Sequence, residues 1–353
     1  MKKRILLLFG GPSSEHEVSL QSAKSVYSNL NRDKYEILPV GIDKNGQWFF
    51  ANTQDFIIDN VDYLKTKLNT DKMKLVTLER KDDQFFLQNI AGDEVAQVDL
   101  VLPVLHGPFG EDGQLQAELE NIGVPYVFSD SKSSSLAMDK IRSKDLVKKN
   151  NITVAPEIIL RKGDNFDPKD IIEKLSLPIV IKPNELGSSV GVTIAKNEKD
   201  LAQGIAAGFV YGNTVLLEKF IAGRELTVAV IGNDTPQALP VIEIIPKTSD
   251  WFDYQAKYST GGSAEVCPAE IPDEVRSRVQ RDAIKAFEII GCRDLARVDF
   301  IWSKDDDELY FLEINTIPGM TDASLTPKAA KAANMSFKEF LDKIIEIAEN
   351  RRG

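Results

Sequence analysis

The N-terminal third of the chain alternates short apolar runs with amphipathic segments, and this alternation restricts the possible folds most strongly. Ile5–Phe9 is an apolar run typical of a buried strand, and Tyr35–Ile42 and Val98–Leu105 are similar. Strands that alternate with helices form parallel sheets, so we expect an α/β domain with helices on the sheet faces. The segment from Gln47 to Asn89 has mixed signals and predicts an insertion or a small sheet. Apolar side chains at helical spacing follow the first run: Val18, Ala23, Val26, Tyr27 and Leu30.

The remaining residues predict two further units, so the whole chain is of mixed α/β (α+β) class. A helix over about Ser133–Asn150 leads into the central unit, and a stretch of about 25 residues between Pro246 and Pro272 has no clear periodicity. We expect an N-terminal domain over residues 1–125, a central unit over 126–215 and a C-terminal unit over 216–353. Strands are predicted over 178–183, 190–195, 215–220, 225–231, 239–245, 295–302 and 309–314, with a helix over 198–208.

Charge and cysteine content exclude several classes of function. The net charge is -11 and there is no long basic run, which disfavours binding to nucleic acid or to an anionic membrane. The two cysteines, Cys267 and Cys292, do not have the spacing of a disulfide scaffold or a zinc site. No apolar stretch reaches the roughly 20 residues of a membrane span, and Ile5–Phe9 is too short for a signal peptide. We therefore expect a soluble cytoplasmic protein without membrane insertion.

Two predicted strands near the C-terminus, RVDFIW at 297–302 and FLEIN at 311–315, carry the strongest chemical signal. Side chains alternate along a strand, so Arg297 and Asp299 share one face, as do Glu313 and Asn315. If the acidic turn closes a hairpin symmetric about residue 306, Asp299 lies opposite Glu313 and Arg297 lies opposite Asn315. Three oxygen ligands would then cluster beside one arginine.

Two carboxylates and an amide oxygen suit a hard cation such as Mg²⁺, whose coordination is completed by water and substrate phosphates. The alternative is a surface salt-bridge patch, which the strongly apolar flanking residues disfavour. The TIPGM turn that follows, at 316–320, would direct a backbone N–H towards the same face, as an oxyanion site requires.

A glycine-rich loop, GSSVG at 187–191, follows Lys182. A P-loop has its lysine after the glycines, so this is not a P-loop. Either the loop closes over phosphates that the strand lysine also contacts, or it is an ordinary polar hairpin turn.

Three other segments allow both a functional and a structural interpretation. In HGPFGEDG (106–113), His106 lines a site or is a satisfied turn histidine, with Asp112 as the helix N-cap. Glu15 either complements a helix dipole or holds a substrate ammonium. DYQAKYSTGG (253–262), with Lys257 and Tyr258, is either an active-site lid or a disordered insertion, and EKFIAGREL (218–226) either frames a purine or is a plain strand and turn.

Taken together, these segments resemble the ATP-grasp superfamily and, within it, the D-alanine–D-alanine ligase family. The similarity extends in order over nearly the whole chain, through GGPSSEHEVSL, HGPFGEDG, AMDKIRSK, KPNELGSSVGV, EKFIAGREL, FDYQAKY, RVDF and EINTIPGMT. The resemblance implies a parallel-sheet (pre-ATP-grasp) domain followed by an ATP-grasp fold of two subdomains. It also implies ATP-dependent joining of two D-alanines through an acyl phosphate for peptidoglycan synthesis, and a homodimer.

The resemblance further implies a role for individual residues. Glu15 would hold the first D-alanine's ammonium, linked to Ser188 and Tyr258. Arg297 and the Gly319 N–H would stabilise the oxyanion, while Ser324, Leu325 and the site-lining His106 would face substrate. Asp299, Glu313 and Asn315 would bind two Mg²⁺ ions, with Mn²⁺ as an alternative. Contacts with ATP would come from Lys140, Lys182, Glu218, Lys219, Ile221, Glu225 and Lys257.

The resemblance also defines the alternatives that remain open. Relatives that make D-alanyl-D-lactate typically lack a tyrosine at the position of Tyr258, so its presence favours an amine as the second nucleophile. Another ATP-grasp ligase, for example one joining D-alanine with D-serine or D-lactate, is the second enzyme hypothesis, and a non-catalytic nucleotide sensor is the third. The chain departs from the usual family residues at Ala117, Phe128, Asp130, Gln255 and Asp294.

Overall fold

The structure is a computed structural model that describes residues 2–52, 55–60, 62–247 and 262–351. Three main sheets follow one another along the chain. Gln255, Lys257 and Tyr258, for which the sequence analysis makes predictions, lie outside the described residues.

The first sheet has seven strands, and the three at one end of it are parallel. The strands are β1 (Lys3–Gly10), β2 (Tyr35–Ile42), β3 (Trp48–Phe50), β6 (Lys74–Lys81), β7 (Gln84–Asn89), β8 (Glu94–Val98) and β9 (Leu100–Pro103); β4 (Ile57–Ile58) and β5 (Lys67–Leu68) form a separate pair. β1 pairs in parallel with β2 and β9, while β3, β6, β7 and β8 extend the sheet in antiparallel fashion. The segment of mixed signals therefore extends the main sheet.

The single strand predicted over Val98–Leu105 is two strands. Asp99 separates β8 from β9, and its carboxylate accepts hydrogen bonds from the backbone N–H and the guanidinium of Arg4, at 2.8 and 2.9 Å. The prediction was wrong because the two ends of this apolar run pair with different strands: β8 pairs with β7, and β9 pairs with β1. Periodicity along the run does not distinguish partners.

Two helices, α1 (His16–Asn29) and α2 (Gln114–Ile122), cover opposite faces of this sheet. The next two, α3 (Ser131–Met138) and α4 (Lys140–Lys149), contact the third sheet instead. The helix predicted over Ser133–Asn150 is divided, because Asp139 has extended backbone and its carboxylate caps α4 by accepting from the Arg142 N–H. Gly113, with φ of +94°, occupies the N-cap position of α2 that we assigned to Asp112, whose carboxylate instead accepts from the backbone N–H groups of Phe109 and Gln114.

The central sheet is antiparallel and has its own core. Its strands are β10 (Glu157–Arg161), β11 (Ile179–Pro183), β12 (Thr193–Ala195) and β13 (Thr214–Lys219), with α5 (Pro168–Leu175) and α6 (Glu198–Gly208) packed on it. Ile181, Leu201 and Leu217 are fully buried there, and each buried side chain of this size contributes about 1.5–3 kcal/mol. The boundary proposed at residue 215 falls inside β13, so we propose that the central subdomain extends to Lys219.

The third sheet carries the predicted acidic hairpin. Its strands are β14 (Gly223–Ile231), β15 (Gln237–Ala238), β16 (Ile242–Pro246), β17 (Ser263–Val266), β18 (Leu295–Ser303) and β19 (Leu309–Asn315), followed or flanked by α7 (Asp273–Ile290), α8 (Leu325–Ala332) and α9 (Phe337–Glu349). α9 begins with a capping box between Ser336 and Glu339. Its apolar face packs in one core with α1 and β1, so the first and third units are joined by shared burial. Within the described ranges, no helix is long and apolar enough to span a bilayer.

Two of the departures from the family pattern meet where these units join. Phe128 and Asp294 have φ of +80° and +60°, a region that glycine adopts without strain, and both are fully buried. The Asp294 carboxylate accepts from the Phe128 N–H at 2.8 Å and from the Asn233 amide at 3.0 Å, and it pairs with Arg351. These contacts are specific to a carboxylate and compensate for the strained backbone.

Candidate active site

The β18–β19 hairpin brings the predicted charged residues together. Arg297 pairs with Asn315 and Asp299 with Glu313, which confirms the predicted pairs. The hairpin is nevertheless not symmetric about residue 306: nearer the turn, Phe300 pairs with Phe311, and the register shifts between Asp299 and Phe300. A bulge on β19 therefore supplies the one-residue offset that aligns the functional pairs.

Arg297 and Asp299 form a two-pronged ion pair beneath the site. The Arg297 Nε lies 2.9 Å from Oδ1 of Asp299, and a terminal guanidinium nitrogen lies 2.8 Å from Oδ2. Burial alone would lower the pKa of Arg297, but the adjacent Asp299 carboxylate more than offsets it and raises that pKa. The guanidinium is therefore held charged and in one orientation, as stabilisation of an oxyanion requires.

The donor set on this face fits a hard cation. Asp299 and Glu313 face each other across the strands, and Asn315 is two residues beyond Glu313, so all three donors are oxygen atoms. The Glu313 carboxylate also lies 3.5 Å from the Lys140 ammonium. Among the described residues, no cluster of three or more His, Cys, Asp and Glu suits a metal ion, so the remaining ligands would have to be phosphates and water.

Glu15 and Ser188 meet although they belong to different units. Glu15 precedes α1 and is buried, and its carboxylate accepts a hydrogen bond from the Ser188 hydroxyl. Ser188 and Gly191 have positive φ, which curls the loop between β11 and β12 towards the N-terminal domain. A Cβ atom at Gly187 would lie 3.5 Å from the Glu15 carboxylate, so the loop backbone lies against that carboxylate.

His106 is buried between the first sheet and the site. Its Nε2 lies 2.9 Å from the Ser22 hydroxyl, and burial lowers its pKa below the usual value despite the opposing effects of Glu15 and the Ile317 backbone. At neutral pH the imidazole is therefore neutral, which suits a lining and hydrogen-bonding role better than a cationic one.

Glu111 is a residue that sequence reasoning missed. One carboxyl oxygen accepts from the Gly107 N–H at 2.7 Å, and the other is buried without a hydrogen-bond partner among the described residues. Burial, followed by the nearby charge of Glu15, raises the pKa of Glu111 to about 8. Its position in GEDG, directly after a predicted strand, was the available signal, but two acidic residues there could not be told apart.

The turn after β19 places Gly319 and Ser324 together. The Ser324 hydroxyl accepts from the Thr321 N–H at 3.0 Å, and a Cβ atom at Gly319 would lie 2.9 Å from that hydroxyl. A side chain at residue 319 would therefore collide with Ser324. Leu325 begins α8 directly after Ser324 and lines the same cavity.

The predicted phosphate-contacting lysines lie on α4 and β11. Lys140 donates to the Leu186 carbonyl oxygen at 2.6 Å, and Lys182 lies 2.6 Å from the Glu218 carboxylate. Glu218 also pairs with Lys144, which the sequence analysis did not select. The signal for Lys144 was its i,i+4 spacing from Lys140 on one helix face. Lys219, Ile221 and Glu225 follow around the turn from β13 into β14.

Apart from Asp299, the predicted residues within the described ranges form two groups. One group lines a cavity of about 460 Å³ between the N-terminal domain, the glycine loop and the hairpin. The other surrounds the β13–β14 turn and does not line that cavity: Lys182, Glu218, Lys219, Ile221 and Glu225. Those that line the cavity are Glu15, His106, Lys140, Ser188, Arg297, Glu313, Asn315, Gly319, Ser324 and Leu325.

This architecture is that of the ATP-grasp ligases with an N-terminal α/β domain. Comparison with protein families identifies the particular one. Residues 4–129 match the model described as "D-ala D-ala ligase N-terminus", and residues 146–346 match "D-ala D-ala ligase C-terminus". The chain therefore belongs to the D-alanine–D-alanine ligase family, as its motifs predict.

Individual relatives are similar over their full length. D-alanine–D-alanine ligase B of Clostridium tetani is 39% identical, with 100% of this chain and 95% of the relative covered. The VanG D-Ala:D-Ser ligase from Enterococcus faecalis superposes with a TM-score of 0.84 at 34% identity, with 99% of this chain and 100% of that chain covered. A D-alanine–D-alanine ligase from Bacillus anthracis complexed with ATP has a TM-score of 0.73 at 32% identity, with 99% and 97% covered.

Proposed function

We propose that this protein joins two molecules of D-alanine to D-alanyl-D-alanine, with conversion of ATP to ADP and phosphate, for peptidoglycan precursor synthesis. Its membership in the ligase family supports the reaction class. The observation that carries the proposal is the cavity in which Glu15, Ser188 and Arg297, contributed by three different units, converge. A nucleotide sensor would not need an arginine held for an oxyanion, which argues against the non-catalytic alternative.

In the first step the carboxylate of one D-alanine attacks the γ-phosphate of ATP, forming a D-alanyl phosphate and releasing ADP. Glu15 is suited to hold the D-alanine ammonium, because its buried carboxylate faces the cavity. Lys140 and Lys182 would offset the repulsion between the two anions. Asp299, Glu313 and Asn315 would hold two Mg²⁺ ions, or Mn²⁺, which neutralise phosphate charge when bound.

In the second step the amine of the other D-alanine, once neutral, attacks the acyl carbon, and phosphate leaves. Arg297 and the Gly319 N–H would stabilise the tetrahedral oxyanion, while Ser324 and Leu325 would receive the second carboxylate. The bond between Ser188 and Glu15 supports a closed loop that excludes water from the acyl phosphate. The roles of Tyr258 and Lys257 in the same closure remain predictions from the sequence, as do the homodimer and the cytoplasmic location.

One assay tests the proposal. Purified protein is incubated with ATP, Mg²⁺ and single amino acids, and both phosphate release and dipeptide are measured. We expect release with D-alanine and none with L-alanine. Absence of phosphate release with every amino acid pair would contradict the proposed function.

D-serine is the second candidate for the nucleophile, because the VanG D-Ala:D-Ser ligase superposes over 99% of this chain. Competition between D-alanine, D-serine and D-lactate in the same assay distinguishes the three products by mass. Formation of D-alanyl-D-lactate as the main product would contradict the assignment based on Tyr258.

A further inference from the structure

Three charged side chains form a buried cluster beside the predicted nucleotide site, which we call the Lys144–Glu218–Lys182 cluster. Lys144 is fully buried and Glu218 is 2% exposed. Lys144 belongs to α4, Glu218 to β13 and Lys182 to β11. Buried charges are tolerated only when they are paired with opposite charges, so the ion pairs with Glu218 account for the burial of both lysines.

The single carboxylate of Glu218 serves both lysines. Its Oε1 accepts from Lys144, and its Oε2 lies 2.6 Å from the Lys182 ammonium. The two ammonium groups differ in access: the Lys182 side chain is 15% exposed, whereas that of Lys144 is not exposed at all. Only Lys182 of this pair can therefore reach a ligand without rearrangement of the core.

The surroundings of Lys182 point to an anionic ligand at its open side. Burial lowers the pKa of Lys182, but the carboxylate of Glu218 outweighs burial and raises it. The carboxylates of Glu313 and Glu225 raise the pKa of Lys182 further. Glu313 and Glu225 are the residues proposed above for metal and nucleotide, so Lys182 lies in the same electrostatic field as that site. Glu218 alone, however, would fully neutralise one lysine.

We infer that Lys144 is a positioning residue for ATP, which neutralises Glu218 so that a full positive charge on Lys182 remains directed at the nucleotide phosphates. This inference rests on the proposed ATP-dependent function. Within the cluster two cations share one anion, so Glu218 compensates one positive charge and not both; the carboxylate of Glu157 also acts on Lys144, and those of Glu313 and Glu225 act on Lys182. Without Lys144, Glu218 would bind Lys182 as an isolated pair in a medium of low dielectric constant, and phosphates would have to compete for it.

The same helix supports this division of roles. Lys140, one turn before Lys144, lies at 3.5 Å from Glu313 and lines the cavity, so it is placed for direct contact with ligand. Lys144 extends from the same face into the core instead. α4 thus supplies one ammonium to the site and a second one that acts through Glu218.

The test is a titration of the full chain with AMP, ADP and ATP in the presence of Mg²⁺ and without D-alanine. Lys144→Met removes the charge at similar volume and should weaken ATP binding about tenfold or more. The loss should grow from AMP to ATP, because it acts on phosphates. Lys148→Met, an exposed charge removal on the same helix, is the matched control and should change each affinity by less than about twofold.

The same change is also made in a Glu218→Gln background, so that any contact of Glu218 with the nucleotide is absent from both members of the comparison. Adding Lys144→Met to Glu218→Gln should change ATP affinity by less than about threefold, because no carboxylate is then left for Lys144 to neutralise. Equal losses for AMP and ATP, no loss at all in Lys144→Met, or an equally large loss in the Glu218→Gln background would each overturn the inference. If Lys144→Met alone does not fold, the comparison of Glu218→Gln with the double variant decides: a difference below about threefold supports the inference, and a larger loss overturns it. Failure of the parent protein itself to bind ATP would instead contradict the proposed function.

Discussion

The Ser188 hydroxyl donates a hydrogen bond to the Glu15 carboxylate, although 173 positions separate the two residues in the chain. The bond ties the glycine loop of the central subdomain to the start of α1 in the N-terminal domain. The loop that would cover the phosphates and the carboxylate that would hold the amino acid are therefore parts of one contact. Binding of ATP phosphates under the loop is therefore expected to influence binding of the amino acid at Glu15, and the reverse.

Ser188→Ala and Glu15→Ala should therefore have non-additive effects. Each removes the shared hydrogen bond, so we expect each alone to raise the KM for D-alanine about tenfold or more. The double variant should be little worse than Glu15→Ala, because the second change then removes nothing further. Steady-state kinetics of the parent and three variants test this, and fully additive losses would contradict it.

Glu313→Gln should abolish turnover through loss of the metal. The variant keeps the size of the side chain but removes one of the two facing carboxylates, so we expect phosphate release to fall about a hundredfold or more. Titration with Mg²⁺ in the presence of ATP measures the effect. Chelation of divalent cations should inactivate the parent protein in the same assay, and full activity of Glu313→Gln would refute the assigned metal site.

Gly191→Ala should impair the glycine loop. Gly191 has φ of +73°, and a Cβ atom there would lie 2.7 Å from the Tyr211 ring and 2.9 Å from Pro183. We expect the KM for ATP to rise about tenfold, since the loop must shift to relieve both contacts and backbone strain. Gly212→Ala is the matched control, because a Cβ atom there meets nothing within 4 Å. Similar kinetics for the two variants would contradict the prediction.

Glu218 should contribute to stability in a pH-dependent way. Burial raises its pKa, but Lys144 and Lys182 outweigh this and lower it to about 2. Because the folded pKa lies below that of the unfolded chain, the contribution is present above the unfolded value of about 4.5 and is lost as pH falls towards about 2. In denaturant unfolding, Glu218→Gln should therefore lose less stability than the parent protein when the pH is lowered from 5 to 3, because part of the parent's loss comes from protonation of Glu218.

Glu157 provides the control for that experiment. It pairs with Glu218 across β10 and β13, but burial raises its pKa, so its effect on stability has the opposite sign. Glu157→Gln should not reduce the loss of stability that the parent protein shows between the same two pH values. An equal flattening in both variants would assign the effect to general charge removal.

Asp294→Asn should destabilise the junction of the N-terminal and C-terminal units. Asparagine tolerates the positive φ of this position, so the change isolates the loss of charge opposite Arg351. We expect the free energy of unfolding to fall by about 2 kcal/mol, because the partly buried Arg351 guanidinium loses its charged hydrogen-bond partner. Asp234→Asn, on an exposed loop, is the control. Chemical denaturation measures both, and equal stabilities would show that the ion pair is dispensable.

Local patterns in the sequence were sufficient for most elements and for the chemistry of the hairpin. The alternation of Arg297 and Asp299 along β18, and of Glu313 and Asn315 along β19, is a property of strands and needs no tertiary information. The helix over residues 198–208 and the strand over Tyr35–Ile42 end where apolar periodicity and turn residues predict. Glycines and prolines marked the loops for the same reason.

Only the tertiary structure decided which distant groups share a site. It brings Ser188 to Glu15, sets Lys144 against Glu218, and selects Glu111 over Asp112 as the carboxyl that faces the cavity. The bulge on β19 and the break in the helix at Asp139 also depend on neighbouring strands and loops. The reason is physical: backbone preference and side-chain periodicity act over a few residues, whereas pairing, burial and charge compensation depend on what the folded chain places alongside.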